Sequence, residues 1–144
     1  MPVYLDHAAT SPIRASVLKL YVATLSEIGN PASVHSFGQR SRQILEQSRE
    51  EIAKAINCDR NEVIFTSGGT ESDNLAVKGL YWNENSKDPK KNVIVSAAAE
   101  HHAVLDAINW LVDSQNAELY LIPSDDQGVL DIAALKNYLE QNAP

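Results

Sequence analysis

Glu62-Val63-Ile64-Phe65-Thr66-Ser67-Gly68-Gly69-Thr70-Glu71-Ser72-Asp73-Asn74 joins residues that read as a buried strand to a polar run that can start a helix, with two glycines between them. A strand, a glycine corner and a helix N-terminus form a common device for holding an anion. The first N–H groups of a helix have no partner inside it, and the helix dipole favours negative charge there. Glycine also permits a close approach that a side chain would block. On spacing alone, two readings stand. Either the N–H groups of Gly69 and Thr70, with the Thr70 hydroxyl, hold a phosphate, or the glycines merely turn the corner. The motif is neither a Walker loop, having no Gly-Lys-Ser/Thr, nor the six-residue dinucleotide fingerprint.

Working outward, the pattern predicts strand 62–66, turn 67–69 and a helix over about 70–82. The polar, lysine-rich run 83–92 reads as a surface loop. Residues 92–96, a continuous apolar run, read as a strand covered on both faces. A helix then runs to about Ser114 with Val104, Leu105, Ile108, Leu111 and Val112 inward. It is followed by strand 118–122, a turn at Asp125–Gly128, and a helix capped by Asp131 with Ile132, Leu135 and Leu139 as its stripe. The alternation predicts an α/β fold with a mainly parallel sheet and flanking helices. Ligands collect beyond the carboxyl ends of such strands. Gly68–Thr70 and Ala99–His101 would then lie at one edge.

Toward the N-terminus, residues 3–5 read as a short strand or an extended arm. Ser11-Pro12 is a helix-start signal, and Val17, Leu20, Tyr21 and Leu25 recur at helical spacing until Gly29-Asn30-Pro31. After a polar loop, a helix from about Gly38 to Asn57 carries the stripe Ile44, Leu45, Ile52, Ala55 and Ile56, with a favourable Glu50–Lys54 pair outside. Cys58 reads as a small, half-buried residue.

The histidines are read by position. His101 and His102 are adjacent and make a poor metal pair, so no metal site is expected. His101 is either a surface or capping residue, or one that stacks on a planar ligand and handles a proton. His7 and His35 read as structural or solvated, and Asn30 as holding the turn before Pro31.

The 144 residues are 44% hydrophobic and 22% charged, which suits a packed domain, and the net charge of −7 argues against a nucleic-acid binder. One cysteine suits a reducing compartment, and a cytoplasmic location is expected. Neither a signal peptide nor a run of ~20 apolar residues is visible, so no membrane partner is expected.

Four motifs together resemble one family. Tyr4-Leu5-Asp6-His7-Ala8-Ala9-Thr10, Gly29-Asn30-Pro31-Ala32-Ser33-Val34-His35, Thr66 through Gly79 and Glu100-His101-His102-Ala103-Val104-Leu105 are similar to the N-terminal signatures of pyridoxal-phosphate-dependent cysteine desulfurases, in the class V aminotransferase family. The resemblance implies part of the large domain of a fold-type I pyridoxal-phosphate enzyme (residues 37–144), preceded by an N-terminal arm and helix (residues 1–36). It implies that Gly69 and Thr70 bind the phosphate of pyridoxal 5'-phosphate. It makes His101 a catalytic and cofactor-binding residue stacked on the pyridine ring. His7, Ala8, Asn30 and His35 would belong to the substrate mouth. The implied reaction removes sulfur from L-cysteine, giving L-alanine and an enzyme persulfide for iron–sulfur cluster or thio-cofactor synthesis. The implied partners are a second copy, as a homodimer, and a sulfur-acceptor or iron–sulfur scaffold protein.

The chain departs from the family in what it lacks. No Ser-x-His-Lys carries the cofactor lysine, and Cys58 does not match the sulfur-accepting loop. The chain is therefore expected to be an N-terminal fragment, inactive alone. The family's sheet separates strand 62–66 from the next two by later strands, so unpaired edges and exposed apolar faces are expected. A related lyase such as a selenocysteine lyase, another aminotransferase-like enzyme, or a stand-alone non-catalytic binding module are the alternatives.

Overall fold

A computed structural model describes residues 3–142 of the chain. They fall into two compact units, divided between Ile64 and Phe65.

The first unit holds helix α1 (Ala15–Leu25), helix α2 (Ser36–Ile56) and a 3₁₀ turn at Arg60–Glu62. Residues 3–5 are extended without being a strand. The start signal at Ser11-Pro12 does not operate. Proline fixes φ but not ψ. The chain stays extended to Arg14 (φ −65°, ψ 141°), which precedes α1 without a side-chain cap. Nor is the α1 stripe inward, for among the described residues none of α1 is buried, and Val17, Leu20, Tyr21 and Leu25 are all exposed. Periodicity marks a face that wants a cover; it does not supply one. The α2 stripe is likewise open at Ile44, Ile52 and Ile56, while Ala53 is buried.

The loop between α1 and α2 is closely built. A Cβ on Gly38 would stand 2.4 Å from the Ser33 carbonyl oxygen and 2.8 Å from that of Asn30. The α2 end is left-handed at Asn57 (φ 55°). Glu50 reaches Arg60 at 3.4 Å rather than forming the expected pair with Lys54. Arg49 donates to the Val63 carbonyl oxygen, fastening the segment after the 3₁₀ turn onto α2.

The second unit holds α3 (Gly69–Lys87), β1 (Val93–Ala97), α4 (His102–Gln115), β2 (Glu118–Ile122) and α5 (Ile132–Asn142). β1 and β2 pair in parallel, with Val93 opposite Glu118 and Ala97 opposite Ile122. This is the α/β arrangement expected for the region.

Three expectations change. Residues 63–66 form no strand, because neither β1 nor β2 pairs with them. α3 runs to Lys87, absorbing half of the predicted surface loop; the bond from Lys87 Nζ to Glu84 Oε1 at 2.8 Å spans its last turn. β1 is not covered on both faces, since Val93 is 40% and Val95 37% exposed. They border an open apolar groove of about 700 Å³ whose other walls include Val77, Leu80, Tyr138 and Leu139.

The core of this unit lies between α3 and α4. Leu111 is 0% and Ile108 2% exposed, with Ala103 and Ala107 also buried. Tyr81 enters this core, and its hydroxyl donates to the Gln115 carbonyl oxygen at 3.2 Å. Trp82 and Trp110 meet edge to face at 6.2 Å, and Lys78 Nζ lies 4.5 Å over Trp110. Asp131 caps α5 by accepting from the Ala134 N–H at 2.9 Å, as its position predicts. Gly128 takes the left-handed turn before it (φ 79°).

Candidate functional site

Connectivity decides which loops share an edge of the second unit. α3 leads into the start of β1, and α4 leads from the end of β1 back to the start of the parallel strand β2. Both helices therefore finish near the amino edge of the strands. The Tyr81–Gln115 bond joins the two helices in their C-terminal halves. At about 1.5 Å of rise per residue, Gly69 and His102 each stand about 18–20 Å back along their helices from that bond. The α3 and α4 N-termini thus lie at one end, beyond the carboxyl ends of the strands.

The turn before α3 is held from within. The Ser67 N–H and Oγ both donate to Glu71 Oε2, at 2.7 and 2.6 Å. Those two bonds, the hydroxyl first, hold the Glu71 carboxyl below its usual value. Thr66 Oγ1 and Ser72 Oγ share a hydrogen bond at 2.6 Å, and each lies 3.2 Å from the Gly68 carbonyl oxygen. The helical ladder opens with the Ser72 N–H donating to that oxygen at 3.1 Å. The N–H groups of Gly69 and Thr70 precede the ladder and have no partner inside the helix. Among the described residues, no hydrogen bond engages the Thr70 hydroxyl.

The glycines are not explained by the turn itself. Gly68 has φ 168°, ψ 179°, an extended conformation open to any residue. A Cβ on Gly68 or Gly69 would meet no atom within 4 Å. No packing within the chain therefore calls for glycine at either position. The missing side chains leave open space beside two unpartnered N–H groups and a hydroxyl, and a phosphate dianion fits that donor set.

His101 caps α4. Its backbone is extended (φ −61°, ψ 143°), and its Nδ1 accepts from the Ala103 N–H at 3.1 Å. An accepting Nδ1 assigns the proton of the neutral ring to Nε2. The His102 ring lies 3.9 Å away, tilted by 32°. Both histidines are exposed. The capping role was legible from position, and it leaves Nε2 and the ring face away from His102 available to a ligand.

The other four candidates lie in the first unit. His7 and Ala8 sit in a turn, with His7 edge-on to Tyr4 at 5.0 Å. The Asn30 side-chain oxygen accepts from the Ala32 N–H at 2.9 Å, holding the turn as expected. His35 caps α2, with Nδ1 accepting from the Gly38 N–H at 3.4 Å. Asn30 and His35 share a cavity of about 450 Å³ with Ile28, Gly29, Ser33 and Phe37; His7 and Ala8 are not among its walls. Cys58 is half-buried, and its thiol is pushed up by burial, then by Glu62 and Asp59. Such a thiol is a poor nucleophile.

Sequence reasoning passed over Ser67 and Glu71. The usual capping signature spaces its pair by three residues, and this pair is spaced by four. Among the described residues, no group of His, Cys, Asp and Glu could hold a metal ion, and no helix is long and apolar enough to cross a membrane.

The aminotransferase class-V family model matches residues 3–144. The chain is 43% identical over 139 residues to an IscS-like cysteine desulfurase of Mycobacterium tuberculosis, covering 96% of this chain and 35% of that protein. It is 42% identical over 141 residues to the cysteine desulfurase IscS of Dictyoglomus turgidum, covering 97% of this chain and 35% of that one. A solved structure described as a NifS-like protein superposes with a TM-score of 0.84 at 31% identity, over 95% of this chain and 37% of that one. The chain thus spans about a third of the length of these relatives.

Proposed function

The chain belongs to the aminotransferase class-V family, and on that premise we propose that it is the N-terminal third of a pyridoxal-phosphate-dependent cysteine desulfurase. In this reading the whole polypeptide converts L-cysteine to L-alanine and leaves the sulfur as a persulfide. It works as a homodimer in the cytoplasm and passes sulfur to an acceptor or iron–sulfur scaffold protein.

The observation that carries the reading is the open space at Gly68 and Gly69, beside the Gly69 and Thr70 N–H groups and the Thr70 hydroxyl. The chain's own sterics do not require glycine there, and an approaching phosphate does. Pyridoxal phosphate, when bound, supplies a dianionic handle and a planar electron sink. Gly69 and Thr70 hold the phosphate. His101 would offer its ring to the pyridine, and the Ala103 N–H, by occupying Nδ1, would leave Nε2 to hold or move a proton. His7, Ala8, Asn30 and His35 serve the substrate mouth. The lysine and cysteine that complete the chemistry are not matched in this chain, so the 144 residues alone turn over no cysteine.

The test is incubation of the full-length polypeptide with L-cysteine and pyridoxal phosphate, reading alanine and sulfide. Release of both supports the reading, and release of neither overturns it. Relative rates on cysteine and selenocysteine separate a desulfurase from a selenocysteine lyase.

A further inference from the structure

We propose that Glu71 is a positioning residue for the phosphate site, an internal anion that sets the Ser67–Thr70 turn before the phosphate arrives. The inference rests on the reading of Gly69 and Thr70 as phosphate ligands and goes beyond it to a residue that does not itself touch the phosphate.

The geometry is specific. One oxygen, Glu71 Oε2, takes both donors of Ser67, the N–H at 2.7 Å and the hydroxyl at 2.6 Å. The side chain thus bends back from the first turn of α3 to the residue before the glycines. On the other side of the turn, the Thr66–Ser72 hydroxyl pair at 2.6 Å closes on the Gly68 carbonyl oxygen. Two glycines would otherwise leave this backbone the freest in the neighbourhood, with a large entropy cost on ordering. The two clamps meet that cost during folding instead of during binding, which is how preorganisation raises affinity.

Glu71 also decides which donors remain. A turn into a helix start exposes several N–H groups, and Ser67 adds a hydroxyl. With both Ser67 donors spent on Glu71, the donors left to the phosphate are those of the helix start, Gly69 and Thr70 among them. The negative charge favours the helix dipole but repels a dianion. Its side-chain acceptor and its charge therefore act in opposite directions on phosphate affinity, and substitution can separate them.

The test is a titration of the isotopically labelled full-length polypeptide, stripped of cofactor, with pyridoxal 5'-phosphate and with inorganic phosphate, following the Gly69 and Thr70 amide resonances. Pyridoxal, which lacks the phosphate, is the control. Glu71→Ala frees Ser67 and is expected to weaken both phosphate ligands about tenfold, the scale of one charge-assisted hydrogen bond. Glu71→Gln keeps an acceptor, removes the charge, and should bind within about threefold of wild type or more tightly. Ser67→Ala deletes one of the two bonds without altering α3 and should weaken binding about threefold. It carries the test if Glu71→Ala does not fold. Thermal unfolding in parallel separates a merely structural role, which lowers the melting temperature without changing affinity in the folded range. Unchanged affinity in Glu71→Ala and Ser67→Ala overturns the positioning role alone. If wild type shows no phosphate-dependent shift at Gly69 and Thr70, the phosphate reading fails and this inference fails with it.

Discussion

His101 caps α4 and, in the proposed function, also stacks on the cofactor, and substituting it in two ways pulls the two roles apart. Its Nδ1 accepts from the Ala103 N–H at 3.1 Å at the start of α4. Removing a capping acceptor costs about 1 kcal/mol of stability, within a range of about 0.5–2. His101→Ala should lose that amount. His101→Asn keeps a capping oxygen at the same place and should remain within a few tenths of a kcal/mol of wild type. Both substitutions remove the aromatic face. A ring-on-ring contact is worth about 1 kcal/mol beyond area, so each should bind pyridoxal phosphate roughly fivefold more weakly. Urea unfolding reads the first effect, and fluorescence titration with the cofactor reads the second. If His101→Asn bound the cofactor as tightly as wild type, the stacking role would be refuted. If it were as unstable as His101→Ala, the capping role would be refuted.

Three further outcomes follow from the packing and the charges. Leu111→Ala removes a side chain with 0% exposure between α3 and α4 and should cost about 3 kcal/mol in urea unfolding. Gly38→Ala places a methyl 2.4 Å from the Ser33 carbonyl oxygen; the loop must move, and stability should fall by about 1–3 kcal/mol with distorted Asn30 and His35 resonances. Glu84 bonds to Lys87 at 2.8 Å and Lys91 at 2.7 Å, and these cations, Lys87 first, hold its carboxyl down at about 2 against an ordinary 4.5. Its contribution to stability is fully present above pH 4.5 and is lost as pH falls through about 2. Glu84→Gln should be slightly less stable than wild type at pH 7, with the gap closing across that window. Salt should shrink the gap, because the pairs are exposed.

What could be read from the sequence depended on how local its physical cause is. β1, β2 and α4 formed near their predicted places because their pattern and the β1–β2 pairing lie within residues 93–122. Residues 62–66 carry the same apolar signal as a strand, yet a strand exists only with a neighbour, and none is paired there. α1 shows the same limit, since Val17, Leu20, Tyr21 and Leu25 announce a face whose cover is not visible in the pattern. The α3 extension was missed because residues 83–87 are polar and read as loop, while Lys87 and Glu84 secure the last turn by a side-chain pair. In the candidate site, the place of Gly69, Thr70 and His101 at the starts of α3 and α4 was legible from the pattern. Glu71 was not, because its part depends on a side chain folding back four residues to Ser67.

The account stands or falls on where the phosphate sits. Phosphorus-to-amide transfer by NMR on the labelled full-length polypeptide with bound pyridoxal 5'-phosphate measures this directly. The prediction is magnetisation transfer to the Gly69 and Thr70 N–H groups, with pyridoxal giving none. Transfer to other amides instead, such as those near Lys90 and Lys91 or those of the Asn30–Gly38 loop, would contradict it.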